Sequence, residues 1–197
     1  MNAGRFEQAI AAIDAANAED PHRLVVSGVE RPKEQAHAEL MTEWVHRLHP
    51  DPSEAQLLAA RAHHLRRWTV PRDEYPPGRS GYLRWRTAQK RRHAEEVGSI
   101  LIGAGYDTES VERVQRIVAK VGLGRDPDVQ IHEDALCLVF LSTQFDQLED
   151  KLGDDDKMVD VIAKTWLKMS ERGRDLALAL PLAPHARTLV EQAVAAG

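Results

Sequence analysis

The sequence predicts an all-α fold, a single helical domain over residues 1–197 built from about seven to nine helices. Three observations predict it. Apolar residues recur at spacings of three and four along most of the chain, the period of a helix with one buried face. Glycine and proline gather between these runs rather than within them. Alternating apolar and polar residues, the mark of a half-buried strand, form no sustained pattern.

Taken in order, Phe6, Ala9, Ile10 and Ile13 mark a first helix over about 4–18, stopped by Asp20-Pro21. The connector LVVSGVERP has room for a brief extended piece, with no partner strand in view. Met41, Trp44, Val45 and Leu48 give a second helix over about 33–48. Asp51-Pro52-Ser53-Glu54 opens a third, with Asp51 accepting an orphan backbone N–H and Pro52 in the first helical position. That helix carries Leu57, Leu58, Ala60 and Leu65 and is expected to end near Trp68. A proline-stiffened loop, TVPRDEYPPGRSG, leads to a long fourth helix over about 81–103. Asp107 caps a fifth with the stripe Val111, Val114, Ile117, Val118 and Val121. After GLGRDPDV, a sixth helix over about 131–152 carries Ala135, Leu138, Val139, Leu141, Phe145 and Leu148. A seventh is expected over about 155–169, and one or two more follow Ser170 and Pro184.

The chain is long enough for a real core, and its charge of −5 does not mark the whole molecule as a nucleic-acid binder. A single cysteine, Cys137, excludes an internal disulfide and suits a reducing compartment; among Leu136, Leu138 and Val139 it reads as a packed core thiol. The N-terminus lacks the pattern of a secretory signal, and no run reaches the ~18–20 apolar residues that span a bilayer. A cytoplasmic protein with no membrane partner is the expectation.

Period also sorts the ionisable residues. His37 heads the face of Met41, Trp44, Val45 and Leu48. His64 lies seven residues after Leu57 and four before Trp68, and His93 precedes Val97 and Ile100 by four and seven. Asp134 precedes Leu138, Leu141 and Phe145 by four, seven and eleven. Four helices thus each present a metal-capable group to the core. A buried carboxylate is costly unless paired or bound, and imidazole with carboxylate suits Mn, Fe, Zn or Co. No motif for an organic cofactor is present. His63 and His132 are neighbours of the candidates and replace them if the register slips by one; Glu133 stands in the same relation to Asp134.

Charge is uneven. From Arg61 to His93 ten Arg and Lys stand against Asp73 and Glu74, a net +8; from Asp126 to Asp160 the net is −9. The basic stretch interleaves Trp68, Tyr75, Tyr82 and Trp85. Guanidinium groups hold phosphate through two parallel bonds and aromatic rings stack on bases, so Arg66, Arg67, Tyr82, Arg84, Arg86 and Lys90 are the candidate phosphate-binding set. The bland alternative pairs these cations with the acidic stretch across the fold.

The blocks DAANAEDPHR, RAHHLRRWTVPRDEYP, GYLRWRTAQKRRHAEE, EDALCLVFL and KTWLKMSERG resemble the family called domain of unknown function 4202 along nearly the whole chain, which implies no activity. The order of a helical His, a His-containing turn, a third His and a late helical Asp more distantly resembles the HD superfamily of metal-dependent phosphohydrolases. That resemblance implies an HD-like helical fold in which His37, His64, His93 and Asp134 hold a divalent metal. The residue after His64 is Leu65, where the superfamily places an Asp, so the usual ligand set is incomplete.

The expected function is therefore a metal-dependent hydrolase of a nucleotide or other phosphorylated small molecule. His93 would be a ligand or acid/base, and Arg84 and Lys90 would act on the reacting phosphate. The alternatives are a non-catalytic helical module binding RNA or a phospholigand, and a di-iron oxygenase of the HD type. Oligomeric state is not legible.

Overall fold

The computed structural model describes residues 3–26, 28–143, 145 and 153–195. It is helical almost throughout, as the period requires. In chain order the elements are α1 (Ala3–Ala18), β1 (Arg23–Val26), β2 (Val29–Pro32), α2 (Lys33–Leu48), α3 (Glu54–Arg61), α4 (Gly78–Gly103), α5 (Thr108–Val118), α6 (Pro127–Thr143), α7 (Asp155–Trp166), α8 (Glu171–Leu178) and α9 (Pro184–Ala195). The expected tail of the sixth helix beyond 145 lies outside the described residues.

Three local expectations are corrected. The connector after α1 supplies its own partner strand: β1 and β2 pair antiparallel from Arg23–Pro32 to Val26–Val29, and Gly28 takes the turn at φ +79°. The third helix is capped by Ser53, not Asp51. The Ser53 hydroxyl accepts from Gln56 N–H while the Gln56 side chain accepts from Ser53 N–H, leaving Pro52 outside. That helix also ends at Arg61 rather than near Trp68, and residues 62–66 form an irregular turn. Caps elsewhere follow the sequence, with Asp107 accepting from Ser110 N–H and Ser170 from Gly173 N–H.

Two apolar clusters make the core. Residues of α1, α3, the turn after it, α4 and α5, among them Ile13, Leu58, Leu65, Val97, Leu101 and Ile117, form one. Residues of α2, α6, α7, α8 and α9, among them Met41, Trp44, Leu138, Met158, Ile162 and Leu189, form the other. α3 and α6 contribute to both, through Leu58 and Ala60, and through Val129 and Ala135. The candidate histidines are carried by α2, α4, α6 and the turn after α3, and so draw on both clusters.

The start of α4 is set by a close approach. A Cβ placed on Gly81 would collide with the Pro76 carbonyl, which is backbone and cannot rotate away. Gly81→Ala, normally favourable inside a helix, is therefore expected to destabilise by ~1–3 kcal/mol. Denaturant unfolding checks this, with Gly103→Ala as control, since nothing lies within 4 Å of a Cβ there.

Candidate metal centre and its cleft

Five histidines meet in the interior. The His37 ring lies 4.6 Å from His64 and 5.7 Å from His63, centroid to centroid; His63 lies 4.1 Å from His64 and 4.7 Å from His132, and His64 lies 5.8 Å from His93. His37 and His93 reach this point from regular helical faces. His63 and His64 do so from the irregular turn, where the backbone leaves helical geometry and two consecutive side chains enter one site.

α4 holds that turn in place. Trp85 Nε1 donates to the Val70 carbonyl, Gln89 Nε2 to the Arg67 and Val70 carbonyls, and Arg92 to the Arg66 and Leu65 carbonyls. These three residues lie four and seven apart, on one strip of the helix. A helix would have satisfied the carbonyls internally; here side chains do it. Arg66 completes the turn at φ +49°, with Asn17 Oδ1 accepting from its N–H.

The donor set is poorly satisfied by the protein itself. Both ring nitrogens of His37, Nε2 of His63, Nε2 of His93 and Nδ1 of His132 are buried without a hydrogen-bond partner among the described residues. His63 Nδ1 and His132 Nε2 share one bond of 2.8 Å, so one ring ends as an unpaired donor and the other as an unpaired lone pair. His93 makes a backbone hydrogen bond to His63, which leaves its Nε2 as the free nitrogen. An unsatisfied buried polar atom costs ~1–3 kcal/mol, so five in one place need an external partner.

Two carboxylates border the rings. Glu34, one turn before His37 on α2, places Oε2 3.1 Å from His64 Nδ1; Arg67 lies 3.0 Å from His64 Nε2. A guanidinium only donates, so Nε2 accepts and the Nδ1 proton faces Glu34. Glu34 is itself placed by Asp20, whose carboxylate accepts from Glu34 N–H at 3.0 Å. Glu34, His37 and His64 offer donor atoms all within 4.8 Å of one another, the arrangement that a metal ion needs. The second carboxylate, Glu133, lies 2.5 Å from Lys120 Nζ.

Asp134 is buried, as period predicts, and its carboxylate accepts from Ser170 N–H at 2.9 Å, from the Ser170 hydroxyl, and from Gln130 at 3.0 Å. These bonds fix the start of α8 and occupy three of the roughly four acceptor positions of the carboxylate. Arg84 lies on the exposed face of α4 beside Leu83 and Arg91, a helical step away from Trp85. Arg66 turns outward toward Glu19, at 3.7 Å.

Beside the rings opens a cleft of about 840 Å³. His63, His64 and His93 reach it, with Tyr82, Trp85, Cys137 and Phe140 in its wall. Eight cations line it (Lys33, Arg67, Arg72, Arg86, Lys90, Lys120, Lys164 and Lys168), against one carboxylate, Glu133. Arg67, Arg86, Lys90 and Tyr82 of the expected phosphate-binding set are thus at the cleft. Among the described residues, the ion pairs of the basic stretch go to Asp14, Glu39, Glu19, Glu95 and Glu96, not to the acidic 126–160 stretch. Cys137 is buried, and its thiol is pushed up to about 12 by desolvation, as befits a packed thiol.

Glu34, His63, His132 and Lys120 complete what the first choice of residues missed. Glu34 carried a usable signal, the spacing of three to His37 on one helix. His63 and His132 were adjacent to the chosen residues, and Lys120 sits in a turn where period says nothing.

The fold and the cluster define a helical protein with a buried Glu/His site of metal-ligating chemistry. A family model described as Domain of unknown function (DUF4202) matches residues 7–190, and the chain belongs to this family. No curated protein and no solved structure matches the chain. Among the described residues no helix is long and apolar enough to cross a membrane.

Two predictions follow from this geometry. Asp134→Asn should lower stability by ~1.5–3 kcal/mol, because charged hydrogen bonds at the start of α8 are lost, while bound metal stays unchanged; unfolding and elemental analysis of the same sample separate the two. The second concerns pH. Burial lowers the pKa of His37, His93 and His132 from 6.5 to about 3 and carries His63 and His64 well below 6.5. Between pH 6.5 and about 3 the unfolded chain binds more protons than the folded one, so stability falls as pH drops through that window. Glu34 opposes this: burial raises its carboxyl from 4.5 to about 7, which weakens the fold as pH rises across that interval. Five rings outweigh one carboxyl. The metal-free protein should lose stability from about pH 6.5 downward, by up to roughly 1.4 kcal/mol per pH unit for each ring. Urea unfolding at stepped pH reads the slope, and a flat profile would contradict unpaired neutral rings.

Proposed function

We propose that this protein is a metal-dependent phosphohydrolase acting on a small phosphorylated molecule, nucleotides included. The observation that carries this reading is the set of five unpartnered imidazole nitrogens in the cluster beside Glu34, of which His63, His64 and His93 also line a cleft with eight cations. Neutral imidazoles with a carboxylate favour Mn, Fe, Zn or Co. Glu34, His37 and His64 would hold the ion, His64 through Nδ1 once the proton shared with Glu34 is released, with His63, His93 and His132 able to complete its shell. The low basicity of His93 fits a ligand better than a proton carrier. When bound, such an ion lowers the pKa of a coordinated water and makes it a nucleophile at neutral pH.

Of the ligand positions implied by the distant likeness to the HD superfamily, His37, His64 and His93 lie in the cluster. Leu65 is fully buried in the apolar core, so no carboxylate enters the site from that position. Asp134 is committed to α8, and His132 stands in the cluster two residues earlier. Glu34 offers the carboxylate that both positions lack. On the cleft wall, Arg67, Arg86 and Lys90 bind and orient the phosphate, and their fixed charges offset the charge that builds on its oxygens during transfer. Arg67 is itself fixed, stacked 4.6 Å over Trp85 and bonded to His64. A cleft of about 840 Å³ has the size of a small-molecule site, which supports a small ligand over RNA.

Elemental analysis of the untagged protein tests the metal. Mn, Fe, Zn or Co should be present in the parent, and His37→Ala and His64→Ala should weaken retention at least roughly 10–100-fold. Phosphate release from a panel of phosphorylated small molecules should follow the metal. No metal after resupply would sink the reading. Oxygen uptake without phosphate release would replace hydrolysis by oxidation, and tight RNA binding that weakens steeply with salt would favour the binding module.

A further inference from the structure

We propose that Lys120 is the anion anchor of the cleft, its ammonium held by Glu133 so as to meet a phosphoryl oxygen beside the histidine cluster. The inference rests on the phosphohydrolase reading and adds a residue to it. In the turn after α5 the backbone takes positive φ at residues 120, 122 and 124. Two of these are Gly122 and Gly124, the residue that fits such a backbone without strain. The third is a lysine at φ +57°, and its side chain is only 6% exposed. A glycine there and an apolar residue at 133 would remove both the strain and the burial of two charges. A strained, buried cation is kept where its head group is needed.

The head group is in the right place. Lys120 and Glu133 are both lining residues of the cleft, with the ammonium 2.5 Å from Glu133 Oε2. The Lys120 charge acts on His37, His63 and His132, so it lies within electrostatic reach of the proposed ligands. Glu133 is also the carboxylate that faces Lys90 and Lys168. Among the described residues, Lys90 and Lys168 make no side-chain hydrogen bond or ion pair. Three ammonium groups thus share one carboxylate, leaving a surplus of two positive charges at this end of the cleft. A phosphate monoester carries about −1.5 to −2 near neutral pH, and so complements that surplus. Glu133 is the positioning residue, and Lys120 the group that touches substrate.

Calorimetric binding of inorganic phosphate to the parent, Lys120→Gly and Lys120→Gly/Glu133→Gln tests this. Lys120→Gly removes the ammonium and suits the backbone; the double variant also avoids leaving a buried carboxylate unpaired. Phosphate affinity should fall roughly 10–100-fold in both variants, while bound metal and Tm of the double variant stay near those of the parent. Unchanged affinity in a folded double variant would overturn the proposal, as would a parent that does not bind phosphate. Should the single variant fail to fold, the double variant decides alone. Failure of the hydrolase reading shows separately, as a parent that binds phosphate but holds no metal.

Discussion

Four carbonyl groups between Leu65 and Val70 lie where the chain turns and no α-helix continues, and most of the site depends on how they are met. Side chains of α4 meet it: Trp85, Gln89 and Arg92 donate to the carbonyls of Leu65, Arg66, Arg67 and Val70, and His93 bonds to His63 backbone. The same strip therefore fixes the turn and contributes a ring to the cluster. His63, His64 and Arg67 take their positions from it. Removing Gln89 would take the donor from the Arg67 carbonyl and removing Arg92 that from the Leu65 carbonyl, so the fold and the site share one set of bonds.

The electrostatics of the interior follow from burial. Five imidazoles lie close together, and their basicity is depressed first by desolvation and then by neighbouring cations. Neutral rings are what a metal ligates, and charged ones would repel it. Glu34 completes the logic from the other side. Its carboxyl is raised to about 7 by burial, so an ionised Glu34 is costly unless a positive charge comes near. A cation bound among the rings would favour that ionised form. Of the cleft cations, Arg67 touches the ring cluster at His64 and the others line the cleft, where they attract an anionic ligand.

Much of the fold was legible because helices advertise themselves by period, and the caps at Asp107 and Ser170 mark starts that the structure keeps. His37 and His93 were legible for the same reason, being on regular helical faces. The rule fails where helicity fails. His63 and His64 lie in a turn, so facing deduced from Leu57 and Trp68 has no meaning there, and both rings enter instead of one. Arg84 illustrates the limit of a different rule: charge density places it with Arg86 and Lys90, but a position next to Trp85 turns it to solvent. Asp134 was rightly read as inward. Its partner, Ser170, lies 36 residues away, and no local pattern foretells a cap delivered from another helix.

Backbone strain points the same way as the chemistry. Among the described residues only Arg66 and Lys120 take positive φ without being glycine, and each adjoins the histidine cluster. Arg66 closes the turn that carries His63 and His64; Lys120 ends α5 and sets its ammonium against Glu133. Neither conformation is free of cost, since a Cβ in the left-handed region meets the following carbonyl. Each is held by surrounding bonds, those of Asn17 and Arg92 at one site and the closing backbone bonds of α5, Val121 N–H to the Arg116 carbonyl among them, at the other. Strain confined to the two borders of one polar cluster is hard to derive from packing alone, since both apolar cores are complete without it. It is what a chain shows when a side chain's position matters more than the comfort of its backbone.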